Sequence, residues 1–97
     1  MYLIREVFKC KPGKAGELVK KFKQASQYIE DDMKGIKIMT DITAPYWTVV
    51  MQYEIEDLGE FAKEIRGGTS QPEMENIMKG YMELVNGGYR EIFLVEN

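Results

Sequence analysis

The chain has 97 residues, 44% of them hydrophobic and 30% charged, with a formal net charge of −3. Such a length holds one domain around one core, taken as residues 1–97, and the composition is that of a folded globular chain rather than a disordered one. The acidic balance argues against general binding to nucleic acid or to an anionic membrane, and no apolar run reaches the roughly 18 residues that a membrane helix needs. Histidine is absent and Cys10 is the single cysteine. No metal site can be expected from that ligand set, no internal disulfide can form, and the usual neutral-pH general base is missing. No cofactor is implied. A lone thiol and the lack of a leader-like opening point to the cytoplasm.

From Tyr2 to Lys9 the residues suit a strand, with Tyr2, Ile4 and Phe8 on one face and Leu3 and Val7 on the other. Lys11-Pro12-Gly13-Lys14 breaks it. A helix is predicted from about Lys14 to Glu30, because Leu18, Phe22, Ala25 and Ile29 recur as one stripe. Glu30 to Gly35 is polar and ends the helix. Ile36 to Ile42 and Trp47 to Glu54 read as two strands of a hairpin around a turn at Thr43-Ala44-Pro45-Tyr46. Asp57 and Glu60 have capping-box spacing, which predicts a short helix with Leu58, Phe61 and Ile65 inward, stopping at Gly67-Gly68. Ser70-Gln71-Pro72-Glu73 starts another helix, carried to about Asn86 by Met74, Ile77, Met78, Tyr81, Met82 and Val85. Asn86-Gly87-Gly88 reads as its left-handed cap, and Tyr89 to Glu96 as the last strand.

The order β-α-β-β-α-β, with the second helical segment split in two, predicts an α+β, ferredoxin-like fold with a four-stranded antiparallel sheet. In that topology the terminal strands are neighbours, and the chain carries nearly the same word in each: Arg5-Glu6-Val7-Phe8 and Arg90-Glu91-Ile92-Phe93. Antiparallel pairing would set Arg5 opposite Glu91, Glu6 opposite Arg90 and Ile4 opposite Ile92. Each opposite-charge pair contributes roughly 0.2–1 kcal/mol and helps to fix the register. Both faces of these strands carry large apolar groups, whereas helices cover only one, and the pattern leaves open which. The second cover is expected to be another copy of the chain, giving a homodimer whose two sheets close into a barrel.

The opening strand and turn, Phe8-Lys9-Cys10-Lys11-Pro12-Gly13-Lys14, resemble those of dimeric α/β-barrel proteins, the NIPSNAP-like and antibiotic-biosynthesis-monooxygenase-like groups. Thr40-Asp41, the turn at Pro45, the stretch from Glu54 to Glu60 and the close Gly87-Gly88-Tyr89-Arg90-Glu91-Ile92-Phe93 are similar to NIPSNAP-like bacterial proteins. The resemblance implies a homodimer and, in the enzymatic branches, a cavity between sheet and helices; cofactor-free oxygenases of this fold act on electron-rich aromatic substrates. The histidine on which haem-degrading members depend has no counterpart here.

Candidate ligand-binding residues are Arg5, Glu6, Trp47, Tyr53, Arg90 and Glu91; no catalytic residue is assigned. The four charged residues lie mid-strand in segments built for burial, where an ion needs a partner. They form either a cross-strand ion-pair network or a clamp in which an arginine takes a carboxylate or enolate oxygen in bidentate fashion. Trp47 and Tyr53, with Tyr89, either line a space for a planar ligand or pack the core and the dimer. Met74, Met78 and Met82 suit core filling. Arg66-Gly67-Gly68-Thr69-Ser70 is a weak anion cradle without a Walker lysine, and Cys10 between Lys9 and Lys11 has no histidine with which to form a catalytic pair. The first 37 residues hold 9 Lys and Arg against 5 Asp and Glu, a basic excess read as a solvated face. The expected function is binding of a small aromatic or carbonyl-bearing metabolite. The rival readings are a cofactor-independent monooxygenase or isomerase using the same cavity, and a non-catalytic dimeric interaction module.

Overall fold

Residues 1–28, 33–43, 45–67 and 72–97 are described by the structure, a computed structural model. The first strand, β1, spans Tyr2–Cys10 and is followed by helix α1, Ala15–Ala25, and a short 3-10 turn, Ser26–Tyr28. The predicted stripe of α1 is buried at Leu18, Phe22 and Ala25, while Ile29 and Glu30 lie outside the described residues. The hairpin follows as β2, Lys34–Thr40, and β3, Thr48–Ile55. Helix α2 runs Leu58–Gly67, and the Asp57 carboxylate accepts from the Glu60 amide at 3.1 Å, the cap that the sequence spacing predicts. Helix α3 is Pro72–Met78, a 3-10 turn covers Tyr81–Leu84, and β4 is Val85–Leu94.

The sheet order is β2-β3-β1-β4, antiparallel throughout, which is the ferredoxin-like arrangement with the first and last strands side by side. The register pairs Arg5 with Glu91, Glu6 with Arg90 and Ile4 with Ile92, as the repeated word requires. The even-numbered residues of β1 face the helices. Ile4, Leu18 and Val49 are fully buried there, joined by Phe22, Met51, Tyr53, Ile55 and Phe61 in one cluster. Phe8 meets Phe22 at 5.1 Å between ring centroids and Tyr81 at 6.5 Å, and so links β1 to α1 and to the turn before β4. The Lys21 ammonium donates to the carbonyls of Ile77 and Lys79 at 3.1 and 2.9 Å, fastening α1 to the end of α3, where a positive charge also suits the helix dipole.

The last third departs from the sequence pattern. The helix predicted to reach Asn86 stops at Met78, because Gly80 adopts φ +82 and turns the chain. Asn86-Gly87-Gly88 caps nothing: it lies inside β4, with Gly88 opposite Phe8. A Cβ on Gly88 would sit 2.2 Å from the Val7 carbonyl oxygen, so the glycine is there to let two strands approach, not to end a helix. Met82, expected on the inward stripe, is 70% exposed as a result. The apolar alternation carries β2 to Ile42, but the strand ends at Thr40 and Ile42 stands almost wholly in solvent. The predicted glycine stop at Gly68 and the cap at Ser70 lie outside the described residues.

Candidate functional site

The alternation of β1 sends its two charged residues to opposite sides of the sheet, and β4 does the same. Arg5 and Glu91 make an ion pair on the face turned away from the helices. Glu6 and Arg90 make the second pair on the helix-facing side, through the arginine Nε and a glutamate oxygen. Glu6 is directly opposite Met51 of β3, between the rows that hold Tyr53 and Val49, so its carboxylate stands in the core layer. Its side chain is only 15% exposed. An ion so placed needs compensation.

Three groups supply it. Arg90 provides the charge, and its guanidinium carbon lies 5.7 Å from the centroid of the Phe61 ring, an arrangement that favours a cation over an aromatic face. Tyr53 provides its hydroxyl, hydrogen-bonded to Glu6. Burial first, then the charge of Glu6, pushes the Tyr53 phenol far above its usual range, with Arg90 pulling the other way. The phenol is therefore a neutral donor at all physiological pH. The hydrogen bond that Arg90 donates to Glu6 raises Arg90 above the ordinary arginine value, against its partial burial. Tyr53 also stacks edge-on to Phe61 at 6.0 Å.

The surroundings of this cluster are half open. Phe61 is buried, but its neighbours on the same side of α2, Leu58 and Ile65, are 36% and 44% exposed rather than inward as the helical stripe predicts. The helix-facing residues of β4 beyond Arg90, Ile92 and Leu94, are 44% and 56% exposed. Among the described residues, none covers the sheet's β4 margin at Ile92 and Leu94, beside Arg90. The result is an apolar flank with a fixed carboxylate, a fixed guanidinium and a neutral phenol at its inner end.

Three of the six sequence candidates, Glu6, Tyr53 and Arg90, come together here. Arg5 and Glu91 lie across the sheet from them, and so does Tyr89. Trp47 sits at the far end of the β2–β3 hairpin, six residues before Tyr53, which along a strand is about 20 Å. Its φ of +59 is unusual for a non-glycine residue and turns the chain just before β3 begins. The helical spacing marks Phe61 only as an inward residue of α2; its contact with Arg90 links two elements that no local pattern connects.

A second polar spot lies near that hairpin. Asp41 Oδ1 accepts from the Thr48 amide at 3.0 Å, while Asp41 Oδ2 and Thr48 Oγ1 are buried without a partner among the described residues. Burial, and secondarily the charge of Asp41, raises the Cys10 thiol above its ordinary value, so it stays protonated at neutral pH and is no nucleophile. Of the proposed anion cradle, Gly68, Thr69 and Ser70 lie outside the described residues. No group of three metal-ligating side chains occurs among the described residues, nor does any helix there have the length and apolarity to cross a membrane.

No family model matches the sequence, and no curated protein matches it. Solved structures do match. A NIPSNAP family protein from Agrobacterium tumefaciens aligns with a TM-score of 0.78 at 13% identity, over 99% of this chain and 93% of its own. An uncharacterised NIPSNAP-like domain protein from Burkholderia xenovorans gives 0.76 at 19% identity, over 98% and 84%. A candidate antibiotic biosynthesis monooxygenase from Chloroflexus aurantiacus J-10-fl gives 0.76 at 8% identity, over 99% and 93%. At such identities the likeness is one of architecture, and it agrees with the sequence resemblance: the chain has the ferredoxin-like fold of the NIPSNAP-domain and antibiotic-biosynthesis-monooxygenase-like proteins.

Proposed function

We propose that this protein is a homodimer that binds a small aromatic or carbonyl-bearing metabolite on the helix side of its sheet, at Glu6, Tyr53, Arg90 and Phe61. One observation carries the reading. A Glu–Arg pair stands at the inner end of an apolar flank that α2 leaves open. A pair serving stability alone gains little there, since apolar residues of similar size in its place would often be as stable or more so. Glu6 engages Arg90 through Nε, so the terminal nitrogens suit a carboxylate, enolate or carbonyl oxygen. Phe61, Ile92 and Leu94 suit the ring or chain attached to it.

The test is a thermal-shift and calorimetric titration with hydroxybenzoates and short 2-oxo acids. At least one should raise the melting temperature saturably, as a ligand of the native state must, and Arg90→Gln should weaken its binding about tenfold or more. Failure of the whole panel at millimolar concentration would overturn the reading. An enzymatic version, a cofactor-independent monooxygenase or isomerase, is favoured by Glu6 lying beside a cation and a phenol. It predicts oxygen uptake with a hydroquinone, or isomerisation of an oxo acid, abolished by Arg90→Ala.

A further inference from the structure

Arg90 is matched before any ligand arrives. Its Nε donates to Glu6, which also accepts from the Tyr53 hydroxyl and is nearly buried. The three side chains are neutral as a unit, since the phenol adds no charge. Helix α2 contributes one more group. Glu64 lies one turn beyond Phe61 on the same side of the helix, is half-buried, and its charge also raises the Tyr53 phenol. Leu58 and Ile65 fall on the other flank of Phe61, which is why both lean outward. Helix α1 presents Leu18 and Phe22 to the sheet and sends its Lys21 away to the end of α3. Among the described residues, the charged and titratable groups facing Glu6 and Tyr53 are thus Arg90 from β4 and Glu64 from α2.

This balance decides what charge a ligand can carry. A carboxylate at the terminal nitrogens of Arg90 brings a further anion to a cation that Glu6 already engages. Two carboxylates that close, in a layer where water is scarce, do not both stay ionised; a proton is kept between them. An uncharged ligand makes no such demand. A ketone or amide oxygen accepts from Arg90, and an O–H or N–H donates to Glu6, so both ions keep charge-assisted hydrogen bonds.

We infer that the site takes its ligand uncharged, as a phenol, enol, ketone or amide, and admits a carboxylate only together with a proton on Glu6. The inference rests on the ligand site proposed above and narrows its chemistry. The proton comes from solvent, binds a Glu6 oxygen and is donated in a hydrogen bond to the incoming carboxylate. The site then holds the same total charge as before. Glu64 works in the same direction, because its negative charge on the α2 side opposes a further anion.

The experiment is calorimetric titration of the full chain between pH 6 and 8, where the raised Tyr53 and Cys10 keep their protons. The probes are the hydroxybenzoates and short 2-oxo acids named above, each beside its uncharged primary amide. An acid that binds should lose up to tenfold in affinity for each unit of rising pH. Repeating the titration in buffers of different ionisation enthalpy should show close to one proton taken up per acid bound. The matching amide should show neither effect, and at pH 8 should bind about tenfold or more tighter than the acid. Glu6→Gln, checked for native circular dichroism, should abolish the proton uptake and bring acid and amide level. The comparison in the wild-type chain decides the matter even where that variant does not fold. An acid bound with a flat pH profile and no proton uptake would overturn this inference and leave the ligand site standing. A slope that survives in a folded Glu6→Gln chain would overturn it as well, since the proton would then sit elsewhere. Failure of acids and amides alike would overturn both.

Discussion

Tyr53 shows how one hydroxyl ties the site to the stability of the fold. Its phenol is raised by burial and by Glu6, so the folded chain keeps a proton that the unfolded chain releases near pH 10. A raised acid group of this kind leaves stability intact below the unfolded value and removes it progressively as pH climbs above it. The Cys10 thiol, raised from 9.0, acts with the same sign. Melting temperature should therefore be level through neutral pH and fall beyond about pH 9–10. Tyr53→Phe should flatten part of that fall while costing about 1.5–3 kcal/mol at neutral pH, the loss of a hydrogen bond to a charged group. An alkaline slope identical to the wild type would assign the loss elsewhere.

Glycine has a different meaning in each element, and substitution separates the meanings. Gly16 in α1 has nothing within 4 Å of a built Cβ, so Gly16→Ala should stabilise by up to about 1 kcal/mol. Gly88→Ala would drive a methyl into the Val7 carbonyl and should cost about 2–4 kcal/mol, loosening β4 from β1; equal denaturation midpoints for the two variants would contradict the close approach. This is also where the sequence was hardest to read. The terminal strands announced themselves because Arg5-Glu6 and Arg90-Glu91 only make sense side by side, and Asp57 announced α2 because a cap is a local signal. Gly87-Gly88 looked like a helix stop because the apolar spacing of Met78, Tyr81, Met82 and Val85 satisfies a helix as well as a broken turn. The left-handed turn at Gly80 and the pairing of Val85 with Cys10 decide between them. Of the site, Glu6 and Arg90 were legible as a pair. Phe61 was not, because its approach to Arg90 depends on how α2 docks.

For the whole molecule, size and surface act together. A chain of 97 residues buries roughly two thirds of its unfolded surface, a thin margin for a monomer. Here one side of the sheet is covered by helices while the other shows Tyr89 and Phe93. A partner on that side would add apolar burial and would make the melting temperature depend on protein concentration. The placement of Trp47 has a practical corollary. It is the chain's single indole, 43% exposed, and it stands where the chain enters β3, at one end of the sheet that the proposed homodimer would cover. Its emission is therefore a built-in lamp at the seam: dilution through the dissociation range should shift it to the red, and a spectrum indifferent to concentration would place the indole away from any contact between subunits.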